Sequence, residues 1–455
     1  MKRNHNHTMP TFYLLTLGCP KNEYDSEGIS ELLQQASYRL TDNPRQADVL
    51  IVNTCGFLQA SKDESVAALR ELAGQKRKNQ LLIAAGCLPQ RVGSDLAAQV
   101  KGLDGLIGTR AWADVVPFVQ RLRAERRPAP LYHLPETGDL APETVVLNRQ
   151  QPGRASAYLK ISDGCSAPCA FCTIPSFKGL NRSRPREHLL TEARHLAAAG
   201  VQEVILIAQD TTAYGRDWGE TDGLPALLEQ LVAVAPEIKW WRVMYAYPGH
   251  ASHKLIEVMA AHPQILPYID MPLQHGHPDT LKRMRRPHNV EKLQHWLDAY
   301  RQAIPGAVLR TTFIVGYPGE TEAEFQGLLD FMGAVQFDRV GAFVFSPEPG
   351  TPAFDLPGQI DAQTKQERWE RLMAFQQPIS LKRNQQMVGQ KLTVLVDGVG
   401  DGISLTRSYR DAPEIDGFVI VEKELPAGHM LPALITGALE YDLLAIPANE
   451  PILVR

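Results

Sequence analysis

Three cysteines lie close together in the segment SDGCSAPCAFC, where Cys165, Cys169 and Cys172 follow the spacing CxxxCxxC. Three thiolates on one short loop can hold three corners of a four-iron cluster and leave the fourth iron without a protein ligand. An open metal position of this kind can bind a small molecule. The amino and carboxylate groups of S-adenosylmethionine can chelate that iron, and an electron from the reduced cluster then releases a 5′-deoxyadenosyl radical.

The alternatives for this loop are a zinc site or chance clustering. Structural zinc usually takes four ligands in two pairs, and no fourth ligand is close in the sequence. The spacing therefore favours a cluster. Phe171, inside the loop, is a candidate to pack against the adenine of the cofactor, with ordinary packing as the alternative.

The other three cysteines, Cys19, Cys55 and Cys87, are far apart in the sequence. Each one directly follows an apolar run: FYLLTLGC, DVLIVNTC and QLLIAAGC. A single free cysteine is often only a small buried hydrophobe. If the runs are neighbouring parallel strands, however, all three thiols reach the carboxyl end of one sheet, where ligands bind. The placement therefore predicts a second three-thiolate cluster.

Two open clusters together indicate a specific kind of chemistry. A radical formed at one cluster can remove hydrogen from an unactivated carbon. A sulfide or persulfide held by the open iron of the other cluster can then combine with the carbon radical. The pair predicts conversion of C–H to C–S, with simple electron transport by the second cluster as the alternative.

Composition narrows the class of protein. The chain has 455 residues, 44% hydrophobic and 22% charged, with a net charge of −4. This length predicts two to four domains, and the charge gives no general attraction to nucleic acid or anionic membranes. No apolar run approaches the roughly 18 residues that a bilayer requires. Six cysteines are too few for a disulfide scaffold, and without a secretory signal we expect the reducing cytoplasm.

The pattern of apolar runs predicts an α/β protein in three parts. An N-terminal parallel-sheet domain (10–125) is followed by a proline-rich linker (126–152). A central partial (β/α)6 barrel (153–383) has candidate strands at 157–161, 203–208, 241–245, 269–273, 309–315 and 339–345. Short strands and Gly/Asp turns from 384 to 455 predict a small all-β barrel. Helices are expected at 26–36, 61–75, 189–199, 224–234, 254–261, 290–303, 322–335 and 362–387.

The motifs in this chain resemble those of the radical S-adenosylmethionine methylthiotransferases, and within that family the RimO type. The resemblance covers nearly the whole chain and is carried by LGCPKNEYDSEG (17–28), NTCGF (53–57), AGC (85–87), DGCSAPCAFCTIPSFKG (163–179), QDTTAYG (209–215), PLQH (272–275), GYPGET (316–321) and DAPEIDG (411–417). Tyr24 departs from the pattern, since a smaller aliphatic residue is usual there.

The resemblance implies a fold and an activity. It implies a radical S-adenosylmethionine core between a cluster domain and a C-terminal TRAM barrel, and two [4Fe–4S] clusters on the two cysteine sets. One S-adenosylmethionine would donate a methyl group and a second would be cleaved to the radical. The implied substrate is the β-carbon of an aspartate in ribosomal protein S-twelve. Partners would be an electron donor, such as a flavodoxin or ferredoxin, and a sulfur donor, with no membrane and no tight tRNA binding.

Several matched segments are also candidates for cofactor contacts. Gln209, Asp210 and Thr211 end a barrel strand, where polar groups of an adenosyl ligand would lie, and turn capping is the alternative. Gly316 and Pro318 follow another strand, where backbone can approach adenine closely, and a tight turn is the alternative. His275 and His277 are expected to be loop residues rather than ligands.

The charge of the C-terminal segment bears on the substrate. From 384 to 455 there are ten acidic residues and five basic ones, a difference of −5. An RNA-binding module should show a basic face, whereas an acidic surface suits a basic ribosomal protein. A merely solvated surface is the alternative.

Two other functions fit part of this pattern. One is a tRNA adenosine methylthiotransferase with the same chemistry. The other is a non-catalytic iron–sulfur or zinc protein that acts as an assembly factor, and it would not cleave S-adenosylmethionine.

Overall fold

The computed structural model describes residues 9–125, 129–136, 143–149 and 154–448. These residues form two compact units. The first contains the described residues up to Arg149 together with 162–167 and 172–188, and the second contains 154–161, 168–171 and 189–448. None of the helices in the described ranges combines the length and the apolar character that crossing a bilayer requires.

The first unit is built on a six-stranded sheet in which every neighbouring pair is parallel. Its strand order is β2-β1-β3-β4-β5-β6, so the strands before Cys19, Cys55 and Cys87 are neighbours, as predicted. The strands are β1 (Thr11–Thr16), β2 (Arg39–Leu40), β3 (Val49–Thr54), β4 (Leu81–Gly86), β5 (Gly105–Gly108) and β6 (Leu131–His133). The helices between them are α1 (Pro20–Gln35), α2 (Gln59–Gln75), α3 (Cys87–Gln99) and α4 (Val115–Ala124).

Helix α1 begins six residues before the predicted start at Ser26. Its first turn carries Pro20, whose fixed φ suits the first helical position. The residues that this turn and the next one bury include the polar Lys21, Asn22 and Asp25. An apolar periodicity is therefore missing where the helix starts, and this explains why the prediction began too late.

The second unit contains another six-stranded parallel sheet, in the order β7-β10-β11-β12-β13-β14. β7 and β14 do not pair with each other, so the sheet is an open barrel, as predicted. After β7 (Ser156–Lys160) the chain forms β8 (Ser162–Asp163), α5 (Ile174–Lys178) and β9 (Arg182–Ser183), which belong to the first unit. The remaining strands of the barrel are β10 (Glu203–Ile207), β11 (Trp240–Val243), β12 (Ile265–Asp270), β13 (Val308–Val315) and β14 (Arg339–Val344).

Helices alternate with the strands of the open barrel. They are α6 (Arg186–Ala198), α7 (Gly223–Val234), α8 (His253–Ala261), α9 (Pro278–Arg283), α10 (Val290–Ala303), α11 (Glu322–Val335) and α12 (Ala362–Gln385). One core of buried aliphatic and aromatic side chains joins these helices to the sheet. Among the predicted helices, α10 and α11 have the expected bounds.

Strand β12 was predicted at 269–273 but lies at 265–270. Pro267 interrupts the apolar run and cannot donate a ladder hydrogen bond, so it argued against a strand. In the structure, β12 pairs with β11 at Ile265 and at Ile269, and the register shifts between these two positions. Pro267 therefore lies where the regular pairing is interrupted.

The C-terminal segment forms a closed five-stranded barrel, as predicted, in the order β15-β16-β17-β19-β18. The strands are β15 (Lys391–Gly400), β16 (Ile403–Ser408), β17 (Val419–Val421), β18 (Met430–Ala438) and β19 (Leu443–Pro447). Strands were predicted at 391–396, 417–421 and 431–440, so β16 and β19 were both missed. Strand β16 buries the polar Thr406, Arg407 and Ser408 and lacks a clear apolar alternation.

Buried ion pairs connect this small barrel to the parallel sheet of the same unit. Glu203, at the start of β10, accepts hydrogen bonds of 2.8 Å from both Arg242 and Arg407. The motif DAPEIDG contributes two acids: Asp411 binds Arg339 at 2.7 Å, and Asp416 accepts from Tyr268 at 2.6 Å. This motif therefore has a structural role in the second unit.

Candidate active site

Cys19, Cys55 and Cys87 lie at the carboxyl ends of β1, β3 and β4. Cys19 caps helix α1, Cys55 follows β3 directly, and Cys87 is the first residue of α3. We refer to these three side chains as the N-terminal thiols. The expectation that they share one end of one sheet is confirmed.

Two glycines bring the backbone close to these thiols. Gly18 has φ +101°, and a Cβ there would lie 2.7 Å from Cys55 Cβ. Gly86 has φ +95°, and a Cβ there would lie 2.3 Å from Asn53 Oδ1. Because other residues rarely adopt such φ values, the turns that present Cys19 and Cys87 require glycine.

Asn22 organises the loops between the N-terminal thiols. Its amide nitrogen donates to the carbonyls of Leu17 and Thr54, at 2.8 and 3.1 Å. Its amide oxygen lies 3.8 Å from the sulfur of Cys87. Asn22 thus connects the ends of β1 and β3 to the third cysteine. Sequence reasoning missed this role, although Asn22 lies in the motif GCPKN.

The environment of the N-terminal thiols suits a metal cluster. Burial and, to a smaller extent, the thiols of Cys19 and Cys55 together raise the pKa of Cys87 to about 12, although Lys178 acts in the opposite direction. Burial also raises the pKa of Cys55. Buried thiols that repel each other's negative charge become thiolates readily only when a metal compensates that charge. All six cysteines are free thiols.

The loop of Cys165, Cys169 and Cys172 is shaped by backbone contacts. In the first unit, the Cys165 amide donates to the Gly179 carbonyl at 3.0 Å. A Cβ on Gly164, at φ +78°, would lie 2.2 Å from the Leu180 carbonyl oxygen. In the second unit, Arg286 donates to the sulfur of Cys169 at 3.3 Å. This contact fixes the position of the Cys169 side chain.

Comparisons with known proteins give the family. Residues 11–108 match the Uncharacterized protein family UPF0004, 159–332 the Radical SAM superfamily, and 388–447 the TRAM domain. A ribosomal protein uS12 methylthiotransferase RimO of Chloroflexus aurantiacus is 48% identical and covers 95% of this chain and 98% of its own length. This chain belongs to the RimO family. The RimO of Roseiflexus sp. strain RS-1 is 47% identical, covering 97% of this chain and 98% of that protein.

Among solved structures, the radical S-adenosylmethionine methyltransferase TsrM of Kitasatospora setae matches with a TM-score of 0.56. It covers 88% of this chain and 81% of its own, at 13% identity, and this similarity shows the fold alone. As a member of the RimO family with a Radical SAM domain, the protein is a methylthiotransferase, and the superfamily implies a [4Fe–4S] cluster and S-adenosylmethionine.

Tyr24, the residue that departs from the family pattern, is fully buried. The guanidinium groups of Arg149 and Arg184 lie 4.4 and 5.3 Å from its ring centre. The edge of its ring also contacts Trp112. The larger side chain in this RimO-family protein therefore packs inside the first unit and binds two arginines.

The predicted cofactor contacts are all in the second unit. Phe171 is half-buried and packs against Tyr317 and its neighbours, with ring centres 6.5 Å apart.

Asp210 accepts hydrogen bonds from the Thr212 hydroxyl and the Ala213 amide and pairs with His250 at 2.6 Å. The Thr211 hydroxyl donates to the Met244 carbonyl at 2.7 Å. Asp210 and Thr211 therefore stabilise the turn itself. A cofactor role for Gln209, Asp210 and Thr211 stays a prediction.

The turn that contains Gly316 and Pro318 is held by Glu320. This buried carboxylate accepts hydrogen bonds from the Gly316 and Tyr317 amides and from Arg368, at 3.1, 3.4 and 2.8 Å. A Cβ on Gly316 would lie 2.3 Å from the Lys365 side chain, so close packing alone requires glycine here. Pro318 is buried. Contact of this turn with adenine also stays a prediction.

His275 and His277 have structural contacts. The Nδ1 atom of His275 accepts the His277 amide at 2.9 Å, and burial lowers the pKa of His275. Ligand atoms of His277, Asp279 and Glu324 lie within 4.8 Å of one another. However, Glu324 already accepts two hydrogen bonds from Arg283, at 2.9 and 2.7 Å. The Arg283 guanidinium therefore supplies positive charge beside Glu324, where a metal ion would otherwise do so.

Proposed function

We propose that this protein methylthiolates the β-carbon of an aspartate in ribosomal protein uS12, using two [4Fe–4S] clusters and two S-adenosylmethionine molecules per turnover. The observation that carries the proposal is the pair of three-cysteine sets, one on the CxxxCxxC loop and the other at the carboxyl ends of three neighbouring strands. The RimO relatives, which act on uS12 by name, support the substrate.

The clusters and S-adenosylmethionine would supply the radical chemistry, the sulfur and the methyl group. Cys165, Cys169 and Cys172 would hold one cluster, and the N-terminal thiols would hold the other. Each set supplies three thiolates, which leaves one iron of each cluster open to a small molecule. Phe171, Gln209, Asp210, Thr211, Gly316 and Pro318 are the residues proposed to contact S-adenosylmethionine. Free thiols throughout the chain are consistent with a reducing cytoplasm.

The surface of the small barrel supports a basic protein substrate. Of its cations, Arg407 and Arg410 are buried in ion pairs with Glu203 and Asp338. Only Lys391 and Lys423 remain exposed on its described residues, against exposed acids at 397, 401, 414, 422 and 424. An acidic surface attracts a basic ribosomal protein and repels RNA.

Two substitutions test the cluster assignment. After anaerobic reconstitution the parent protein should bind about eight irons, and Cys87→Ser and Cys169→Ser about four each. Cys87→Ser should still cleave S-adenosylmethionine to 5′-deoxyadenosine, because the loop of Cys165, Cys169 and Cys172, which we call the radical loop, is intact. Cys169→Ser should not. A parent protein with about four irons would rule out the second cluster.

Mass spectrometry of uS12 tests the substrate. uS12 from cells with the gene should carry one methylthio group on an aspartate, and uS12 from a deletion strain should lack it. Expression of the Cys87→Ser variant in the deletion strain should leave uS12 unmodified. An unchanged uS12 mass together with a tRNA adenosine that depends on the gene would indicate the tRNA branch instead.

A further inference from the structure

A buried lysine contacts residues beside both cysteine sets. Lys178 ends helix α5, six residues after Cys172, and its side chain is buried. Its ammonium nitrogen lies 2.9 Å from the Thr109 hydroxyl and 3.0 and 3.2 Å from the two carboxylate oxygens of Asp163. A buried ammonium requires such acceptors, and here they come from two separate parts of the first unit.

Each acceptor leads to a different cysteine. Thr109 directly follows β5, and its hydroxyl lies 3.8 Å from the sulfur of Cys87. Asp163 accepts the Gly164 amide at 3.0 Å, and Gly164 precedes Cys165. A continuous polar chain therefore runs from Cys87 through Thr109, Lys178 and Asp163 to the backbone at Cys165. All of its members belong to the first unit.

The polar chain from Cys87 to Cys165 is buried as well as continuous. Thr109 is fully buried, and the exposed fractions of Lys178 and Asp163 are 2% and 6%. Arg110 donates to the Lys178 carbonyl at 2.6 Å and so fixes the end of α5. Replacing any member would leave a partner buried without its hydrogen bond, which is costly.

The charge of Lys178 is also directed at a cluster ligand. Burial lowers the pKa of Lys178, but the charges of Asp163, the Cys87 thiolate and Asp25 outweigh burial and raise it. Lys178 thus remains a cation throughout the physiological range. Its ammonium reaches Cys87 through a single residue, since the Thr109 hydroxyl lies 2.9 Å from the Lys178 nitrogen and 3.8 Å from the Cys87 sulfur.

We propose that Lys178 is a positioning residue for the methylthiotransferase reaction: it ties the N-terminal thiols to the radical loop in one geometry and places a positive charge beside Cys87. This inference rests on the proposed function, because it requires a cluster at each cysteine set. Reducing a cluster adds negative charge, so a nearby cation favours the reduced form. Removing Lys178 should therefore lower the reduction potential of the N-terminal cluster.

The electrostatic part is tested in the full chain with Cys165, Cys169 and Cys172 replaced by alanine, so that only the N-terminal cluster remains. EPR-monitored redox titration should give a lower midpoint potential for Lys178→Met than for the parent, and Lys178→Arg should restore much of the difference. Lys76→Met is the matched control. Lys76 pairs with Asp104 at 2.6 Å in the same unit, at the amino end of β5, and its removal should leave the potential unchanged.

The positioning part is tested with all six cysteines present. Lys178→Met should raise the number of 5′-deoxyadenosine molecules formed per methylthiolated product by about tenfold or more, while Lys178→Arg and Lys76→Met should match the parent. Thr109→Val removes one hydroxyl and keeps every charge. It should raise this ratio while leaving the midpoint potential near that of the parent.

The outcomes separate the two proposals. If the parent protein binds about eight irons but Lys178→Met changes neither the potential nor the ratio, the role of Lys178 is wrong and the proposed function stands. If the parent binds only one cluster, the proposed function fails and the role of Lys178 fails with it. If Lys178→Met does not fold, Thr109→Val still decides the positioning role: an unchanged ratio of 5′-deoxyadenosine to product in this variant would refute it.

Discussion

At the scale of single residues, the candidate site depends on close approach of backbone to side chains. Glycines precede Cys19, Cys87 and Cys165, and each has a positive φ. Each glycine aims the following cysteine out of a strand end or turn where a Cβ would collide with backbone or with a neighbouring side chain. These glycines therefore position the cysteines that we propose as cluster ligands.

Gly86→Ala should destabilise the first unit. The new Cβ would lie 2.3 Å from Asn53 Oδ1 and 2.7 Å from the Thr54 carbonyl oxygen, at a φ of +95°. We expect a loss of about 2–4 kcal/mol in the free energy of unfolding of the apo protein, measured by chemical denaturation. Gly74→Ala, in α2 with nothing within 4 Å of the added Cβ, should be neutral or stabilising by up to about 1 kcal/mol. Equal effects of the two substitutions would contradict the argument.

At the scale of elements, parallel strands bring residues that are far apart in the sequence to one end of a sheet. The order β1-β3-β4-β5 places Cys19, Cys55, Cys87 and Thr109 after four neighbouring strands. The same principle acts in the open barrel, where Glu203 and Arg339 are the first residues of β10 and β14, and Arg242 lies in β11. Charges from β16 and the turn after it pair with these residues.

Glu203→Gln tests how much the buried ion pairs of Glu203 contribute to the free energy of unfolding. Burial raises the pKa of Glu203, but Arg407 and Arg242 outweigh burial and lower it to about 2. Because the substitution leaves two buried arginines without their shared carboxylate, we expect a loss of about 3–5 kcal/mol. Glu257→Gln, which removes only an exposed pair with Lys254, should change stability by less than about 0.5 kcal/mol.

The pH dependence of this loss follows from the depressed pKa. The contribution of Glu203 is complete above its ordinary pKa of 4.5 and disappears as the pH falls toward about 2. The difference in unfolding free energy between parent and Glu203→Gln should therefore be constant from about pH 8 to pH 5 and shrink at lower pH. A difference that grows on acidification would refute the ion-pair explanation.

At the scale of the whole molecule, charge is distributed unevenly. The net charge is only −4, yet the exposed charged residues of the small barrel are mostly acidic, because two of its arginines are buried in ion pairs. Glu422 and Glu424 are both exposed on this surface, directly after β17 and with Lys423 between them in the sequence. This surface is where we expect a basic ribosomal protein to be attracted.

The double substitution Glu422→Lys and Glu424→Lys should slow association with uS12 by about tenfold at low salt and weaken its salt dependence. Surface plasmon resonance over a range of salt concentrations measures both. Glu229→Lys with Glu257→Lys, two exposed acids on α7 and α8, makes the same change in net charge and should have a smaller effect. If the two double variants slow association equally, net charge rather than the barrel surface attracts the substrate.

The sequence by itself determined the type of fold and predicted which residues carry the chemistry. The CxxxCxxC spacing is local, and the apolar runs before Cys19, Cys55 and Cys87 predict parallel strands wherever the rest of the chain lies. Strand and helix periodicity also predicted the open barrel and the small closed barrel. It failed where polar residues are buried, as in the first turns of α1 and in β16, because burial there depends on partners far away in the chain.

Only the tertiary structure decided which residues support the site. Lys178 is 69 residues from Thr109 and 15 from Asp163, and Arg407 is 204 residues from Glu203. No local pattern encodes such pairs, because a buried charge is stable only beside a partner that folding brings to it. Tyr24 shows the same limit: its size stood out in the sequence, but its packing between two arginines required the folded first unit.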